Sequence, residues 1–247
     1  MENEFIMTDE ELEYLKKLAK EIDIELDEIQ IKQFSKYYTL LMEKNRVMNL
    51  TSITDPKEVI VKHFIDSLSI AKIMNFDETI NIIDVGTGAG FPGVPIKIAF
   101  PKVNVLLLDS LNKRVNFLNE TIAQLGLTNI EAMHVRAEEG AHVEGLRQNF
   151  DLCVSRAVAN LSTLSEYCMG YVKENGYFIS YKSGNVTEEL ESAKNAIATM
   201  NGNVKGISGF YLPQTDIERT LIKIKVEGEI PKRYPRKSGI PSREPIM

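Results

Sequence analysis

The chain has 247 residues, 43% of them hydrophobic, and a formal net charge of −6 at pH 7. This length suffices for the core of one large domain, and two cysteines, Cys153 and Cys168, exclude a disulfide framework and predict reduced core thiols. No stretch is apolar for long enough to span a bilayer, and the acidic N-terminus lacks the basic region of a signal peptide, so we expect a cytoplasmic protein.

The charge is distributed unevenly along the chain. Residues 1–30 carry eleven acids and three lysines, a net charge of −8, which leaves +2 for the rest. From Ile230 to the end, five basic residues stand against one acid. Such a basic segment is typical of a protein that contacts a polyanion, whereas the acidic head is adequately explained by solvated helix faces.

Three amphipathic helices are predicted in residues 1–78, which we treat as an N-terminal helical subdomain. Thr8 and Glu11 form the pattern of a capping box ahead of the first helix. The second is predicted from about Asp27 to about Asn45. The third begins after Asp55, with Pro56 at its first position.

From residue 79 the pattern changes to short apolar runs that alternate with helical stretches. The predicted strands are Ile80–Val85, Val103–Asp109, Ile130–Arg136, Phe150–Ser155 and Gly176–Lys182, followed by Val204–Tyr211 and Thr220–Val226. The alternation predicts a parallel α/β sheet, and the last two strands predict a closing antiparallel hairpin. This Rossmann-like, mostly parallel seven-stranded layout over residues 79–228 is typical of class I methyltransferases that use S-adenosylmethionine (SAM). Residues 229–247 form a basic, proline-rich tail, expected to be surface-bound or mobile.

The glycine loop after the first strand is the strongest candidate for a ligand site, because open parallel sheets bind ligands beyond the carboxyl ends of their strands. Gly86, Gly88 and Gly90 allow a tight turn and a close approach of backbone to ligand. Residues 88–93 also fit the dinucleotide pattern G-x-G-x-x-G, a weak match by itself. SAM is favoured because Asp84 suits a cationic methionine group, directly or through water, and because the dinucleotide register begins too far beyond the strand. Asp109, which would bind ribose hydroxyls, fits both ligands.

The fourth strand ends in Ser155-Arg156-Ala157, beside the expected position of the sulfonium, and the third in a stretch expected to contact the adenine. The loop after the fourth strand has neither the [DN]-P-P-[YF] pattern of many amine methyltransferases nor the nucleophilic cysteine of pyrimidine C5 enzymes. Cys153 lies within a predicted strand and Cys168 within a predicted helix, so a covalent intermediate is not expected.

Taken together, these motifs resemble the RsmG (GidB) family of bacterial 16S rRNA guanine-N7 methyltransferases over nearly the whole chain. The matching stretches are Asn49-Leu50-Thr51, His63 to Leu68, Asp84 to Gly93, Leu108-Asp109-Ser110 with Lys113-Arg114-Val115, Ser155-Arg156-Ala157, Lys182-Ser183-Gly184, Glu218-Arg219 and Arg233 to Pro241. The resemblance implies methylation of N7 of a guanine in 16S rRNA (guanine 527), with SAM contacts at Gly86, Phe91, Ala137, Glu138 and Arg156. The complete predicted cofactor site is Asp84, Gly86, Gly88, Gly90, Phe91, Asp109, Ser110, Ala137, Glu138 and Arg156.

Guanine N7 carries a lone pair and no proton, so its attack on a sulfonium methyl needs no general base. Catalysis then consists of alignment, and the candidates for positioning are Arg156, Lys182, His63 and Asp66. For His63 and Asp66, an ordinary packed helix face is the alternative. The predicted RNA contacts are Lys113, Arg114, Lys182, Arg219, Arg233, Arg236 and Lys237.

The expected partner is 16S rRNA or the small ribosomal subunit, including an assembly intermediate, with no metal, no membrane and a monomeric chain. Tyr234, between basic residues, is a candidate to stack on an unpaired base, and a solvated tail is the alternative. Other functions left open by the residues are a methyltransferase for a small molecule or protein, a non-catalytic binding module, and a nicotinamide-dependent oxidoreductase.

Overall fold

The computed structural model describes residues 5–247, which form a seven-stranded sheet with helices on both faces. The strands are β1 (Asn81–Val85), β2 (Asn104–Asp109), β3 (Ile130–His134), β4 (Phe150–Arg156), β5 (Val172–Ser183), β6 (Gly202–Tyr211) and β7 (Glu218–Val226). The α-helices are α1 (Asp9–Lys20), α2 (Glu28–Met48), α3 (Pro56–Val59), α4 (Asp66–Leu68), α5 (Gly93–Ala99), α6 (Asn112–Leu125), α7 (Ala137–Gly140), α8 (Leu161–Met169), α9 (Thr187–Thr199) and α10 (Ile240–Arg243).

The strand order is β3-β2-β1-β4-β5-β7-β6. Strands β1 to β5 pair in parallel, and β7 pairs antiparallel with both β5 and β6. The predicted parallel sheet with a closing hairpin is therefore confirmed, and the six-parallel-strand layout of nicotinamide enzymes is excluded. The strand order reverses between β1 and β4, so ligands are expected at the carboxyl ends of these two strands.

The three predicted helix starts are also confirmed. Thr8 and Asp27 each accept from the third backbone N–H of their helix in a complete capping box, and Asp55 caps α3 with Pro56 following it. The sequence did not predict the π-helical turn at Ile60–Ile65, which joins α3 to α4. Such turns are frequent at functional sites, and this one carries His63 and leads into Asp66.

Two hydrophobic cores lie on opposite faces of the sheet. One contains the N-terminal helices, with Phe34, Tyr37 and Phe64 fully buried against residues of α5, α6 and the sheet. The other contains α8 and α9 and includes both free, buried cysteines, as predicted. Since α1 and α2 share a core with the sheet, the helical segment is fixed relative to the strand ends.

The tail is bound along the second face of the sheet. Ile230 is fully buried, and the Arg147 guanidinium donates to the carbonyl oxygens of Ile230 at 2.8 Å and Tyr234 at 3.0 Å. Thr163 donates to the carbonyl of Pro241, and Ser162 donates to that of Ile246. Of the two states that the sequence left open, the structure shows the surface-bound one. None of the helices between residues 5 and 247 combines the length and apolar character needed to cross a bilayer.

Candidate functional site: two adjoining cavities

Two cavities open beside each other at the carboxyl ends of the parallel strands. The first, here the glycine-loop cavity, has a volume of about 360 Å³ and is lined by Val85, Gly86, Leu108, Asp109, Ser110, Arg114, Val135, Arg136, Ala137, Glu138, Ala157, Val158, Tyr167, Gly239 and Ser242. The second, here the arginine cavity, has a volume of about 370 Å³ and is lined by Ile53, Lys62, His63, Asp66, Arg156, Ala157, Tyr181, Lys182, Ser183 and Arg219. Ala157 lines both, so a group bound in one cavity lies next to a group bound in the other.

Gly86 forms the floor of the glycine-loop cavity. Its φ of +74° lies in the left-handed region, and a β-carbon here would lie 2.5 Å from Cγ2 of Val158. A side chain at this position would therefore strain the turn and fill the cavity. Gly88, with φ of +63°, donates its N–H to Oδ2 of Asp109 at 3.0 Å, which ties the loop to the end of β2.

Asp84 is fully buried behind the loop and does not line the cavity. Its Oδ2 accepts from the Thr87 hydroxyl at 2.7 Å and from the Gly93 N–H at 2.8 Å, whereas its Oδ1 has no hydrogen-bond partner. Burial raises the pKa of Asp84 to about 6, against the opposing effect of these two donors. Asp84 thus clamps both ends of the glycine loop, and its buried Oδ1 has no hydrogen-bond partner inside the protein.

Asp109 lies at the end of β2 and is 2% exposed. Oδ1 accepts from the Leu111 N–H at 2.9 Å, and Oδ2 accepts from Gly88 and from the Arg114 guanidinium at 3.4 Å. A carboxylate has about four acceptor positions, and these three donors occupy three of them, so Asp109 retains about one position for a ligand hydroxyl. Arg114, predicted to bind RNA, lines this cavity beside Asp109.

Gly90 and Phe91, both predicted to bind the cofactor, pack against helix α2 instead of lining the glycine-loop cavity. A β-carbon at Gly90 would lie 2.7 Å from the hydroxyl of Tyr37, which donates to the carbonyl of Ala89 at 2.6 Å. The Phe91 ring lies 5.4 Å from the Tyr37 ring and 4.6 Å from the imidazole of His63. This close packing explains the need for glycine at position 90.

The far end of the glycine-loop cavity is formed by β3, α7 and the tail. Ala137 and Glu138 line it as predicted positions, and Glu138 is 6% exposed. Oε1 of Glu138 accepts the N–H of Gly239 at 2.8 Å. Sequence reasoning missed Tyr167, Gly239 and Ser242 because nothing in their spacing places them beside the glycine loop.

Asp66 lies at the centre of the arginine cavity between two guanidinium groups. Its Oδ2 accepts from Nη1 of Arg156 at 2.9 Å, and its Oδ1 accepts from Nε of Arg219 at 3.0 Å. The three side chains are 4%, 13% and 20% exposed respectively, so the attraction is only weakly screened. The Arg156 guanidinium also lies 5.1 Å from the centre of the Phe91 ring. Arg156 therefore belongs to the arginine cavity and contacts two predicted site residues.

His63 is held by hydrogen bonds at both ring nitrogens. Nε2 lies 2.8 Å from the hydroxyl of Thr51, and Nδ1 lies 3.2 Å from the carbonyl of Lys62. Nδ1 also lies 3.5 Å from Nη2 of Arg156, so both ring nitrogens have partners in the cavity. Burial, and secondarily the charge of Arg156, lowers the pKa of His63 to about 4. His63 is therefore a neutral, fixed wall of the cavity at pH 7.

Lys182 also lies in the arginine cavity, where its ammonium donates to Oε1 of Glu189 at 2.6 Å and to the carbonyl of Ala159 at 2.9 Å. Tyr181, missed by sequence reasoning, donates to the carbonyl of Ser67, and burial raises its pKa. The four predicted positioning residues, Arg156, Lys182, His63 and Asp66, are thus brought together in one cavity.

The remaining basic candidates occupy different surroundings. Lys113 and Lys237 are exposed, and the Arg233 guanidinium covers the ring of Tyr234 at 5.0 Å. Arg236 binds an internal partner: its side chain and its backbone N–H donate to the carboxylate of Glu166, which is 1% exposed. Arg236 therefore has an internal partner, as Lys182 and Arg219 do, and its assignment to RNA stays a prediction. Glu166 lies within an otherwise uncharged helix, and a single acid in such a position indicates a buried cationic partner.

Within residues 5–247, no three histidine, cysteine or acidic side chains cluster closely enough to hold a metal ion.

Comparison with known proteins identifies relatives over most of the chain. Residues 30–218 match the family described as rRNA small subunit methyltransferase G. The chain is 54% identical over 228 residues to the ribosomal RNA small subunit methyltransferase G of Lachnoclostridium phytofermentans, covering 92% of this chain and 94% of that protein. It is 51% identical over 232 residues to the protein of the same name from Desulforamulus reducens, covering 94% and 97%.

Solved structures with the same fold are more distant in sequence. A SAM-dependent methyltransferase from Aquifex aeolicus superimposes with a TM-score of 0.53 at 18% identity, covering 72% of this chain and 97% of that one. M. jannaschii TYW2 in complex with AdoMet superimposes with a TM-score of 0.51 at 14% identity, covering 65% and 74%. At these identities the likeness establishes the class I methyltransferase fold.

Proposed function

The chain belongs to the rRNA small subunit methyltransferase G family, and we propose that it transfers a methyl group from SAM to N7 of a guanine in small-subunit rRNA. The observation that carries this proposal is the junction at Ala157, where the glycine-loop cavity and the arginine cavity meet. Two ligands that share this junction would face each other directly, which is the arrangement that in-line methyl transfer requires.

The glycine-loop cavity fits SAM, which supplies an electrophilic methyl group when bound. Asp109 offers its remaining acceptor position to a ribose hydroxyl, and the 137–138 segment lies where the adenine edge would be read. Asp84 would act from behind the loop, where its carboxylate holds Thr87 and Gly93 and its partnerless Oδ1 suits the methionine ammonium through a water molecule. Gly86 leaves room for the chain that connects these two ends.

The arginine cavity fits an acceptor that needs no deprotonation. Both ring nitrogens of His63 are engaged, and Asp66 is neutralised by two guanidinium groups, so neither is free to act as a strong base. These residues instead fix one another, and they form a rigid wall that would hold a base still. This chemistry agrees with attack by an unprotonated ring nitrogen such as guanine N7.

RNA binding would come from the cations around the two cavities. We retain Lys113, Arg114, Lys182, Arg219, Arg233, Arg236 and Lys237 as proposed RNA contacts, with Arg236 also anchoring the tail through Glu166. Arg219 and Lys182 line the arginine cavity itself, whereas Lys113 and Lys237 are exposed. The proposed partner is 16S rRNA, free or within a small subunit or its assembly intermediate, which would place a monomeric enzyme in the cytoplasm.

The acceptor class can be tested by incubation of the protein with methyl-labelled SAM and several acceptors in parallel. These are 16S rRNA lacking the modification, small subunits containing that rRNA, large-subunit rRNA, and a cell extract freed of RNA. We expect label in 16S rRNA or the small subunit alone. Label only in protein or small molecules of the extract would show that the enzyme has a different substrate, and no transfer to any form of rRNA would refute the proposal.

A further inference from the structure

The C-terminal tail reaches the glycine-loop cavity, and we propose that residues 238–242 form part of the cofactor-binding site. Gly239 and Ser242 line this cavity together with Asp109 and Ala137. The inference rests on the proposed binding of SAM in this cavity, and it assigns the tail to the adenosine end of that ligand.

The contact between the tail and the adenine-side wall is specific. Gly239 has φ of +81°, and its N–H donates to Oε1 of Glu138 at 2.8 Å. The Ser242 hydroxyl donates to the carbonyl of Gly239 at 3.2 Å, which closes a short turn over the cavity. Glu138 is thereby held in one orientation, with acceptor capacity left for an exocyclic amine of a purine. The tail thus supplies both a wall and an orienting donor.

Strong anchors hold this turn in place from both sides. Ahead of it, Arg236 pairs with buried Glu166 through three side-chain contacts of 2.8 to 3.2 Å and a backbone N–H contact of 2.6 Å. Within it, the carbonyl of Pro241 accepts from Thr163 at 3.1 Å. Both anchors lie on α8, which also contributes Tyr167 to the cavity. Because Arg236 and Glu166 satisfy each other inside the protein, the tail stays closed over the cavity without any RNA.

This assignment differs from a role of the tail in gripping RNA. If residues 238–242 bind the adenosine end, their removal weakens every ligand that carries adenosine, whether or not a methionine group is attached. If the tail only grips RNA, its removal lowers RNA affinity and leaves the cofactor affinity unchanged.

The test compares two altered chains with the full-length protein by titration calorimetry with SAM, S-adenosylhomocysteine and 5′-methylthioadenosine. One chain ends at Lys237, and the other carries Ser242→Phe, which places a ring in the cavity at an exposed position. We expect the dissociation constants of all three ligands to rise about tenfold or more in both, which is the size expected for one or two lost contacts. Ser242→Phe keeps the test valid if the shortened chain does not fold.

Two matched controls are a chain ending at Pro245, which retains the cavity-lining residues, and Lys232→Ala, an exposed charge change in the same tail. Both should bind the three ligands within about threefold of wild type. Cofactor affinities unchanged in the shortened chain and in Ser242→Phe would overturn the inference, as would a loss confined to RNA. Failure of the full-length protein to bind SAM would instead contradict the proposed function.

Discussion

The two cavities are built in different ways. The glycine-loop cavity is formed mainly by consecutive strand ends and turns, so residues close in sequence, such as Val85 and Gly86, set its shape. The arginine cavity is formed by side chains from α3 to α4, β4, β5 and β7, with Asp66 bound to residues 90 and 153 positions away. The spacing of residues along the sequence therefore specifies the glycine-loop cavity, whereas the arginine cavity depends on contacts that exist only in the folded protein.

Asp66 of the arginine cavity and Asp84 behind the glycine loop are both buried, and the two are stabilised differently. Asp66 is compensated by Arg156 and Arg219, whereas Asp84 has only two neutral donors and an oxygen without a partner. As a result, burial raises the pKa of Asp84 to about 6. The arginine cavity is thus stabilised by ion pairs, whereas the glycine loop is held by hydrogen bonds to a buried carboxylate whose charge has no cationic partner.

The largest effect is expected from Asp66→Ala, because the change leaves two largely buried guanidinium groups without their partner. We expect the free energy of unfolding to fall by about 3 kcal/mol and methyl transfer to be lost, whereas SAM affinity should change little. Denaturant titration and calorimetry measure these two quantities. In the control, Lys173→Ala breaks the half-exposed pair with Asp151 but keeps the hydrogen bond from the Asn81 N–H to Asp151, so it should cost less than about 1 kcal/mol. An equal loss in both variants would contradict the special role of Asp66.

Opposite pH dependences are expected from Asp84 and His63. The raised pKa of Asp84 stabilises the fold as the pH falls from about 6 towards its unfolded value of 3.8, since the folded state then binds the extra proton. The lowered pKa of His63 does the reverse, because stability is lost as the pH falls from 6.5 towards about 4. Each effect is worth about 3 kcal/mol.

Single variants separate these effects when the free energy of unfolding is measured between about pH 4 and pH 7. Relative to wild type, His63→Gln should gain stability as the pH falls through this window. Asp84→Asn should lose stability relative to wild type over the same range. Parallel curves for the two variants and wild type would show that neither group titrates as described.

Asp109→Asn should weaken SAM binding about tenfold, since the amide loses the charge and turns one acceptor oxygen into a donor. The new NH₂ group also faces one of the N–H donors that bind the carboxylate, so we expect the free energy of unfolding to fall by about 1 to 3 kcal/mol. This substitution tests the glycine-loop cavity and keeps the size and shape of the side chain at position 109. Asp77→Asn, an exposed change at the opposite end of the sheet, provides the control in the same calorimetric assay. Equal affinity in Asp109→Asn and wild type would remove Asp109 from the ligand.

The smallest effect is expected from Lys113→Ala, which removes one exposed charge near the cavities. We expect a severalfold rise in KM for rRNA and a reduction of about 1 in the slope of log affinity against log salt, with unchanged SAM affinity. Lys102→Ala, at the opposite end of the sheet, is the matched control and should leave both values unchanged. An identical salt slope in Lys113→Ala and wild type would exclude this lysine from the RNA contact.

The sequence predicted the fold closely because strand and helix patterns are local. All seven strands lie within a few residues of their expected positions, and the caps at Thr8, Asp27 and Asp55 are as expected. Gly86 and Asp109 were found for the same reason, since each follows directly from a strand end. The roles of Gly90 and Arg236 could not be read in this way, because each depends on a distant partner, Tyr37 for the glycine and Glu166 for the arginine. Likewise, a tail segment such as Gly239 carries no local signal that it closes a cavity about 100 residues away in sequence.

The two adjoining cavities are proposed to place the methyl group of SAM next to N7 of a guanine, a ring nitrogen that carries no proton. The most direct test is methylation of 16S rRNA that lacks the modification, followed by chemical cleavage specific for N7-methylguanine. We expect transferred label and strand cleavage to occur together at a single guanine, and only when SAM is present. Label incorporated into the rRNA without cleavage at any guanine would contradict this proposal.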